Sequence, residues 1–120
     1  MTDLTIRKAD DLAHKVYKLT KQFPKEELFG ITSQIRRAAL SIVLNLIEGF
    51  ARGRDKEYLH FLQISYGSLK ETKYLIYFCY KEQYLPEEDY KEILEISEEL
   101  GKMIWKRMKN LKINIVANEV

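Results

Sequence analysis

The sequence has few of the residues that cross-link or sharply turn a chain. A single cysteine, Cys79, cannot form an internal disulfide and is too few for a cysteine-based zinc site. Five glycines and two prolines are too few for the many tight turns of an all-β fold. No apolar run reaches the roughly 18 residues that a membrane helix needs. Residues 1–11 also lack a basic stub followed by a long apolar stretch, so we expect a cytoplasmic protein.

The net charge is also small, at +2, and by itself does not indicate a nucleic-acid-binding protein. The positive excess is concentrated in residues 30–54, which carry a single acid, Glu48, and four arginines: Arg36, Arg37, Arg52 and Arg54. Guanidinium groups bind phosphate well, so we predict that these four side chains contact nucleic acid. In an oligomer, each copy of the Arg52-Gly53-Arg54 corner would add to a basic ring.

Glycine and proline divide the chain into four segments with helical spacing of apolar residues, such as Leu12, Val16 and Leu19. The predicted helices cover about residues 4–22, 31–52, 55–83 and 86–111, and residues 113–120 are expected to form a frayed tail. Four amphipathic helices with short connections predict an all-α fold. The expected architecture is one antiparallel up-and-down four-helix bundle domain over residues 1–120.

The second predicted helix is apolar around most of its circumference, because few polar side chains interrupt residues 38–50. Three neighbouring helices cannot cover such a surface, so we expect a homo-oligomer in which a second chain covers the rest. The alternative is that the tail at residues 113–120 or the loop at residues 23–30 folds over this surface.

One narrow polar seam runs along the same helix and consists of Arg37, Ser41, Asn45, Glu48 and Arg52. A buried charge needs a partner, and Glu71 on the third helix is a candidate for Arg37. The seam is interpreted either as paired polar groups that fix the register of the helices or as a contact for a ligand or nucleic acid.

The third predicted helix and the residue directly after it carry six of the eight tyrosines. Part of it alternates rings with amines in the series Tyr66, Lys70, Lys73, Tyr77, Tyr80, Lys81 and Tyr84. Rings can stack on bases and amines can meet phosphates, but tyrosine is also common at protein interfaces and on plain surfaces. Three interpretations therefore stay open: a partner surface, an ordinary surface and nucleic-acid binding through Lys70, Lys73 and Lys81. Gly67 beside Ser68 is expected to mark a close approach of helices.

Catalytic and metal-binding patterns are weak. Asp11-x-x-His14 and Glu57-x-x-His60 only partly match the spacing of di-iron bundles, and Cys79 lies in an apolar, aromatic stretch typical of a core thiol. A phosphate-binding glycine loop, a zinc-protease motif and a nucleophile elbow are missing from the sequence. We therefore expect no enzyme activity, no cofactor and no bound metal.

A pattern in residues 30–52 resembles the large-subunit (23S) rRNA intervening-sequence protein family. The residues that carry it are Gly30, Ile31, Gln34, Ile35, Arg36, Arg37, Ala38, Ala39, Ser41, Ile42, Asn45, Glu48, Gly49 and Arg52, followed by Glu57, Tyr58, Phe61, Leu62, Gly67, Ser68, Leu69 and Glu71. This family is similar to accessory proteins of diversity-generating retroelements. The resemblance implies a four-helix bundle that forms a ring-like homo-oligomer, a pentamer, with a nucleic-acid role and no catalysis.

Two functions follow as hypotheses. The first is a non-enzymatic, oligomeric bundle that binds RNA or DNA phosphates through helix two, with Lys70, Lys73 and Lys81 as secondary contacts. The second is a scaffold or accessory subunit that docks a protein through the tyrosines of helix three. Residues expected to be structural or at an interface are Ser41, Asn45, Glu48, Gly49, Gly67 and Glu71.

Overall fold

Four α-helices that share one long axis make up the part of the chain that the computed structural model describes, residues 3–119. They are α1 (Leu4–Thr20), α2 (Ile31–Arg52), α3 (Asp55–Lys81) and α4 (Glu87–Glu119), with one short 3₁₀ turn at Lys25–Glu27. The molecule measures 54 × 24 × 23 Å. At about 1.5 Å per residue, the 33 residues of α4 span about 50 Å, so this helix sets the length of the bundle.

The helices begin and end within two residues of the predicted positions, except at the end of α4. Asp3 caps α1, where its carboxylate accepts a hydrogen bond of 3.0 Å from the Ile6 amide. The sharp turn from α2 to α3 depends on Gly53, whose φ of 73° lies in the left-handed region that glycine tolerates best.

The prediction of a frayed tail at residues 113–120 is wrong for the part of it that is described, because α4 continues without interruption to Glu119. Val120 lies outside the described residues. The segment contains no glycine or proline to stop the helix. Ile115 is half-buried, and Glu119 forms an ion pair of 3.2 Å with Lys56 at the start of α3. These contacts hold the last turns of α4 against α3.

The bundle is a closed ring of neighbours. Helix α1 packs on α2 and α4, and α3 packs on the same two helices from the other side. Successive helices are antiparallel, which makes this the predicted up-and-down four-helix bundle. The interior is apolar, and its largest fully buried side chains include Leu12, Ile35, Ile42, Leu46, Leu62, Leu69, Ile76, Ile93, Leu100 and Ile104. Within residues 3–119, none of the helices combines the length and apolar character needed to cross a bilayer.

Candidate assembly and nucleic-acid surfaces

The polar seam of α2 is partly used inside the chain. Ser41 Oγ lies 2.8 Å from Ser68 Oγ on α3, and the Asn45 side-chain amide donates to the carbonyl and the hydroxyl of Ser41 at 2.8 and 3.0 Å. One turn away, Ser65 Oγ donates to the backbone carbonyl of Ile42 at 2.8 Å. These short side chains bring α2 and α3 close together and set their register, which agrees with the structural interpretation of the seam.

Gly49 lies where α2 packs tightly against α3. A β-carbon at this position would lie 2.9 Å from Phe61 Cβ and 3.0 Å from Tyr58 Cδ1, closer than carbon atoms normally approach. Gly67 is different: a β-carbon there would meet nothing within 4 Å, and the residue is exposed. The prediction that Gly67 marks a close approach of helices is therefore wrong within the chain, because its Cα faces outward. Ser65 and Ser68 are the α3 residues that face α2.

Arg37 and Glu71 line one shallow groove of about 330 Å³ between α2 and α3, together with Ser41 and Ser68. Both charged side chains are exposed, and no ion pair within 4.0 Å joins them, although the structure describes both. The pairing expected between Arg37 and Glu71 does not form. The groove thus presents one free guanidinium group and one free carboxylate to the surroundings.

Glu48 pairs along its own helix. Arg52 Nη2 donates to Glu48 Oε1 at 2.6 Å, and the Arg52 guanidinium lies 5.1 Å from the centre of the Phe61 ring. Both groups of the pair are about half exposed. Arg54 is exposed at the corner that follows. This corner therefore presents two guanidinium groups, one of which is partly neutralised.

Arg36 points to the opposite side of α2, towards α1. Its Nε donates to Thr20 Oγ1 at 2.8 Å, and its guanidinium lies 4.8 Å from the centre of the Tyr17 ring. Thr20 itself donates to the carbonyl of Val16 at 2.8 Å. These contacts fix the stem of Arg36 in the α1–α2 junction, so this arginine also has a structural role.

The lysines predicted as secondary contacts lie on α3. The Lys70 ammonium sits 5.1 Å from the centre of the Tyr66 ring, and Lys73 donates to Glu98 on α4 at 2.8 Å. Lys81 is exposed at the far end of α3. The seven predicted cations therefore occupy separate surfaces of one subunit: the α1–α2 junction, the α2–α3 groove, the α2–α3 corner, the α3–α4 groove and the end of α3.

The outer face of α2 is an uncovered apolar stripe, defined by Leu40, Leu44, Ile47 and Phe50. Their exposed fractions are 39%, 60%, 41% and 59%. The alternative that the chain itself covers this surface is wrong for the described residues, because α4 runs along the start of α3 and the 23–30 loop leaves the stripe open. Single exposed apolar residues are ordinary, whereas a contiguous apolar patch is typical of surfaces that contact another molecule.

The tyrosines of α3, together with Tyr84 in the turn after it, do not form one stripe. Tyr80 stacks on Tyr90 with ring centres 4.5 Å apart, and Tyr84 packs on Phe23 and donates to Glu27 at 3.2 Å. Both rings belong to the packing at one end of the bundle. An exposed aromatic cluster remains on the outside of α3, formed by Tyr74, Tyr77 and Phe78.

Two features of the surface were missed from the sequence. Arg107 donates to Tyr58 Oη at 2.8 Å and to Asp3 Oδ2 at 3.0 Å, which ties α4 to α3 and to the start of α1. The second is the groove between α3 and α4 around Ser97 and Trp105. These residues are more than 25 positions from their partners on other helices, so only helix pairing could have indicated them.

The described residues contain no cluster of three or more histidine, cysteine or acidic side chains that could hold a metal. His14 lies 3.3 Å from Asp10 rather than meeting Asp11, and its side chain is largely exposed. Burial, followed by the charges of Glu27 and Glu82, raises the pKa of the Cys79 thiol to about 11. This thiol is therefore protonated at neutral pH and packs as an apolar group, as predicted.

The comparison with protein families gives the fold and these surfaces a context. A family model described as "23S rRNA-intervening sequence protein" matches residues 3–106, which is most of the chain. The chain belongs to the 23S rRNA-intervening sequence protein family. No curated protein matches the chain.

Among solved structures, the chain is similar to a crystal structure of a protein of unknown function from the S23 ribosomal protein family of Bacteroides thetaiotaomicron VPI-5482. The TM-score is 0.82 at 24% sequence identity, and the match covers 88% of this chain and 96% of that one. At this level of identity the likeness establishes the four-helix fold.

Proposed function

We propose that this member of the 23S rRNA-intervening sequence protein family is a non-enzymatic, cytoplasmic subunit that self-associates through the outer face of α2. In the assembled form it binds RNA or DNA phosphates through the arginines beside that face. The observation that carries the proposal is the uncovered apolar stripe of α2, with arginines along both of its edges. A pentamer is the assembly that the sequence resemblance implies.

The position of the arginines links the two halves of the proposal. At about 100° per residue, Arg36 and Arg37 lie on opposite sides of the line through Leu40, Leu44 and Ile47. Arg52 and Arg54 lie at the end of the same helix. Any symmetric contact along the stripe therefore repeats these cations around the assembly, and several separated charges become one basic surface.

The surface beside the stripe also favours a second copy. Ile64 on α3 is 39% exposed, and Gly67 leaves the outside of α3 without a side chain. Ser41, Asn45, Glu48, Gly49 and Glu71 lie along the same α2–α3 junction. A second subunit packs its apolar stripe here, beside Arg37.

Nucleic-acid binding rests on the exposed cations. Arg37 and Arg54 have no acidic partner within 4.0 Å among the described residues, so phosphate is their natural ligand. Arg52 would have to exchange Glu48 for phosphate. Lys70, Lys73 and Lys81 lie on other surfaces of the subunit and act as secondary contacts along a longer strand. The sequence likeness to accessory proteins of diversity-generating retroelements agrees with a nucleic-acid partner and stays a prediction.

The first test measures mass in solution by light scattering at micromolar concentration. We expect a multiple of the 14.3 kDa subunit mass. Leu44→Gln should lower the mass towards that of one subunit, because it places a polar amide in the contact. Leu4→Gln is the matched control, since Leu4 is 68% exposed on α1, away from the stripe. A wild-type protein that stays at the subunit mass would refute the assembly.

The second test is a salt titration of binding to single-stranded RNA and DNA. The logarithm of the affinity should fall linearly with the logarithm of the salt concentration. Arg52→Glu with Arg54→Glu should weaken binding and reduce that slope by about 1 for each phosphate that is no longer bound. Lys18→Glu with Lys21→Glu reverses the same number of charges at the end of α1 and should have little effect. Unchanged low-salt binding in the arginine variant would refute the proposed surface.

The exposed aromatic cluster of α3 favours one alternative, the docking of a partner protein. Tyr74 and Tyr77 are 61% and 45% exposed, and rings of this kind are common at interfaces. Tyr74→Ala with Tyr77→Ala should release such a partner in a pull-down. Tyr84→Ala is a poor probe because Tyr84 packs on Phe23. Retention of every partner by the double variant would exclude this docking surface.

A further inference from the structure

The groove between α3 and α4 has the features of a ligand site. Its lining includes Tyr66, Lys70, Lys73, Ser97, Lys102 and Trp105, and its volume is about 270 Å³. This volume lies just below the range of about 300–1,000 Å³ that is common for pockets of drug-sized ligands. The groove can therefore hold a small ligand and not a folded partner.

The groove is positively charged. Three lysine ammonium groups meet there and one carboxylate, Glu98, opposes them, which leaves a local charge of +2. The hydrogen bond from Lys73 and its charge keep the pKa of Glu98 below its ordinary value, and the charges of Lys70 and Lys102 add to this effect. All three ammonium groups therefore lie close enough to interact with the Glu98 carboxylate. Glu98 forms an ion pair with Lys73. Among the described residues, Lys70 and Lys102 have no acidic partner within 4.0 Å.

The groove also offers aromatic faces. The rings of Tyr66 and Trp105 have centres 5.7 Å apart and are tilted by 44°. Trp105 is 54% exposed although it is a large aromatic residue, and Lys112 lies 6.0 Å from the centre of its ring on the neighbouring surface. An exposed indole next to amines is suited to a planar ring that carries an anionic group.

The floor of the groove contains an unused polar group. Ser97 is 1% exposed, and its hydroxyl has no hydrogen-bond partner within the described part of the chain. Leaving a buried hydroxyl unpaired lowers stability, so such a group calls for an explanation. Gly101, one turn along α4, also lines the groove, and a β-carbon there would lie 3.4 Å from Leu69 Cδ2.

We propose that the α3–α4 groove binds a single nucleoside phosphate, with the base against Trp105 and the phosphate held by Lys70 and Lys102. The Ser97 hydroxyl donates to the ligand once the groove is filled. Neither an anion alone nor an aromatic ring alone uses both halves of the groove. The site lies on a different surface from the arginines of α2, and it gives Lys70, proposed above as a secondary contact for a strand, a mononucleotide ligand that does not depend on those arginines.

Trp105 is the single tryptophan of the chain and reports binding directly. The experiment titrates the intact protein with adenosine monophosphate and follows tryptophan fluorescence, with adenosine and inorganic phosphate as separate arms. We expect saturable quenching by the nucleotide, at a concentration at least about five-fold lower than for either fragment. The absence of quenching by millimolar nucleotide would overturn the proposal.

Glu98→Gln gives the most discriminating variant, because it should improve binding. It removes the opposing carboxylate and frees Lys73, so we expect about five-fold tighter binding of the nucleotide, as a nearby charge contributes about 1 kcal/mol in water. Glu99→Gln is the matched control, since Glu99 pairs with Lys8 on the side facing α1. Equal effects of the two variants would mean that only the net charge matters, and would refute the site.

Loss-of-binding variants complete the test. Lys102→Gln should weaken binding about five-fold, whereas Lys18→Gln should not. Ser97→Ala should weaken nucleotide binding while raising the thermal midpoint of the free protein, because an unpaired buried hydroxyl is removed. If Ser97→Ala left affinity unchanged, the proposed hydroxyl contact would be wrong.

A competition arm separates two sources of the ligand. A short single-stranded oligonucleotide that displaces the mononucleotide would show that the groove takes a nucleotide within a strand. If the oligonucleotide does not compete, the ligand is a free nucleotide. Arg52→Glu with Arg54→Glu leaves the groove intact, so failure of the α2 surface and failure of this groove can be told apart.

Discussion

The two long seams on opposite sides of the bundle are closed by different chemistry. Between α1 and α4, charged side chains cross the seam in the pairs Lys8–Glu99, Lys15–Glu92 and Arg107–Asp3. Between α2 and α3, short polar groups and Gly49 bring the backbones together, and the outer face of α2 keeps its apolar side chains exposed. The charged side chains of the α1–α4 seam are compatible with exposure to water. The exposed apolar side chains of α2 are of the kind that contact another protein surface.

The largest expected effect tests the close packing of α2 on α3. Gly49→Val should lower the free energy of unfolding by about 3 kcal/mol, because the added methyl groups overlap Phe61 and Tyr58. Urea denaturation measures the loss. Gly67→Val is the same substitution in open space on α3 and should be nearly neutral. Equal losses at both glycines would refute the packing explanation, because valine favours the helix more than glycine does and Gly67 has open space around it.

The next effect tests the charged seam through pH. Burial disfavours the charged form of Asp3, but the Ile6 amide and Arg107 outweigh it, so the pKa of Asp3 lies below its ordinary value of 3.8. Because the pKa of Asp3 is lowered in the folded state, its carboxylate stabilises the fold at pH values above the unfolded-state pKa. This stabilisation is lost as the pH falls through the folded-state pKa. Asp3→Asn should therefore destabilise by about 1 kcal/mol at pH 7, because it breaks a half-buried ion pair.

The pH dependence supplies its own control. As the pH falls below 3.8 and through the lowered pKa of folded Asp3, the wild-type carboxylate becomes protonated, so the difference between wild type and Asp3→Asn should shrink. Asparagine can still cap the helix, which limits the change to the charge. A destabilisation that stays constant from pH 7 to pH 2 would show that Asp3 acts through hydrogen bonding alone.

A substitution on the outside of α3 is expected to increase the free energy of unfolding by a smaller amount. Gly67→Ala should raise the free energy of unfolding by about 0.7 kcal/mol, because alanine favours the helix and meets no neighbour within the subunit. Denaturation at a concentration too low for assembly isolates this gain. A loss of stability there would mean that another part of the subunit occupies this position.

The smallest effect concerns the exposed ion pairs of the charged seam. Lys15→Gln removes the pair with Glu92, in which the side chains are 29% and 52% exposed. Such pairs contribute little because water screens them, so we expect a change within about 0.5 kcal/mol. Lys18→Gln, an exposed lysine on the same helix, is the comparison. A loss well above that of Lys18→Gln would make the seam depend on its charges more than on its apolar core.

The comparison also explains what the sequence could and could not predict. Glycine and proline positions and apolar spacing located the four helices, and the small polar residues of α2 indicated the seam that Ser41 and Asn45 form. The end of α4 was predicted near residue 111, but no glycine or proline lies between that residue and Glu119 to stop the helix.

The candidate surfaces were harder to predict than the fold. Periodicity gives the direction of a side chain around its own helix, but the partner depends on how neighbouring helices are placed. Arg36 and Arg37 are adjacent in sequence, yet one enters the α1 junction and the other the α3 groove. Lys73 meets Glu98 across 25 residues of chain, and no local pattern indicates that pair. The excess of apolar residues on α2 could be predicted, because it depends on the sequence of that helix alone.

Because α4 extends beyond its last buried residue, the free energy of local unfolding should differ along this one helix. Leu111 is its last buried side chain, whereas Ile113 and Val116 are 58% and 61% exposed. Amide hydrogens near Ile104 should exchange with deuterium only when the whole protein unfolds. Those beyond Leu111 are protected by little more than the helix itself and its packing on α3. Exchange should therefore become steadily faster along the final two turns, so this helical end can adapt to a ligand or neighbour while the bundle stays rigid.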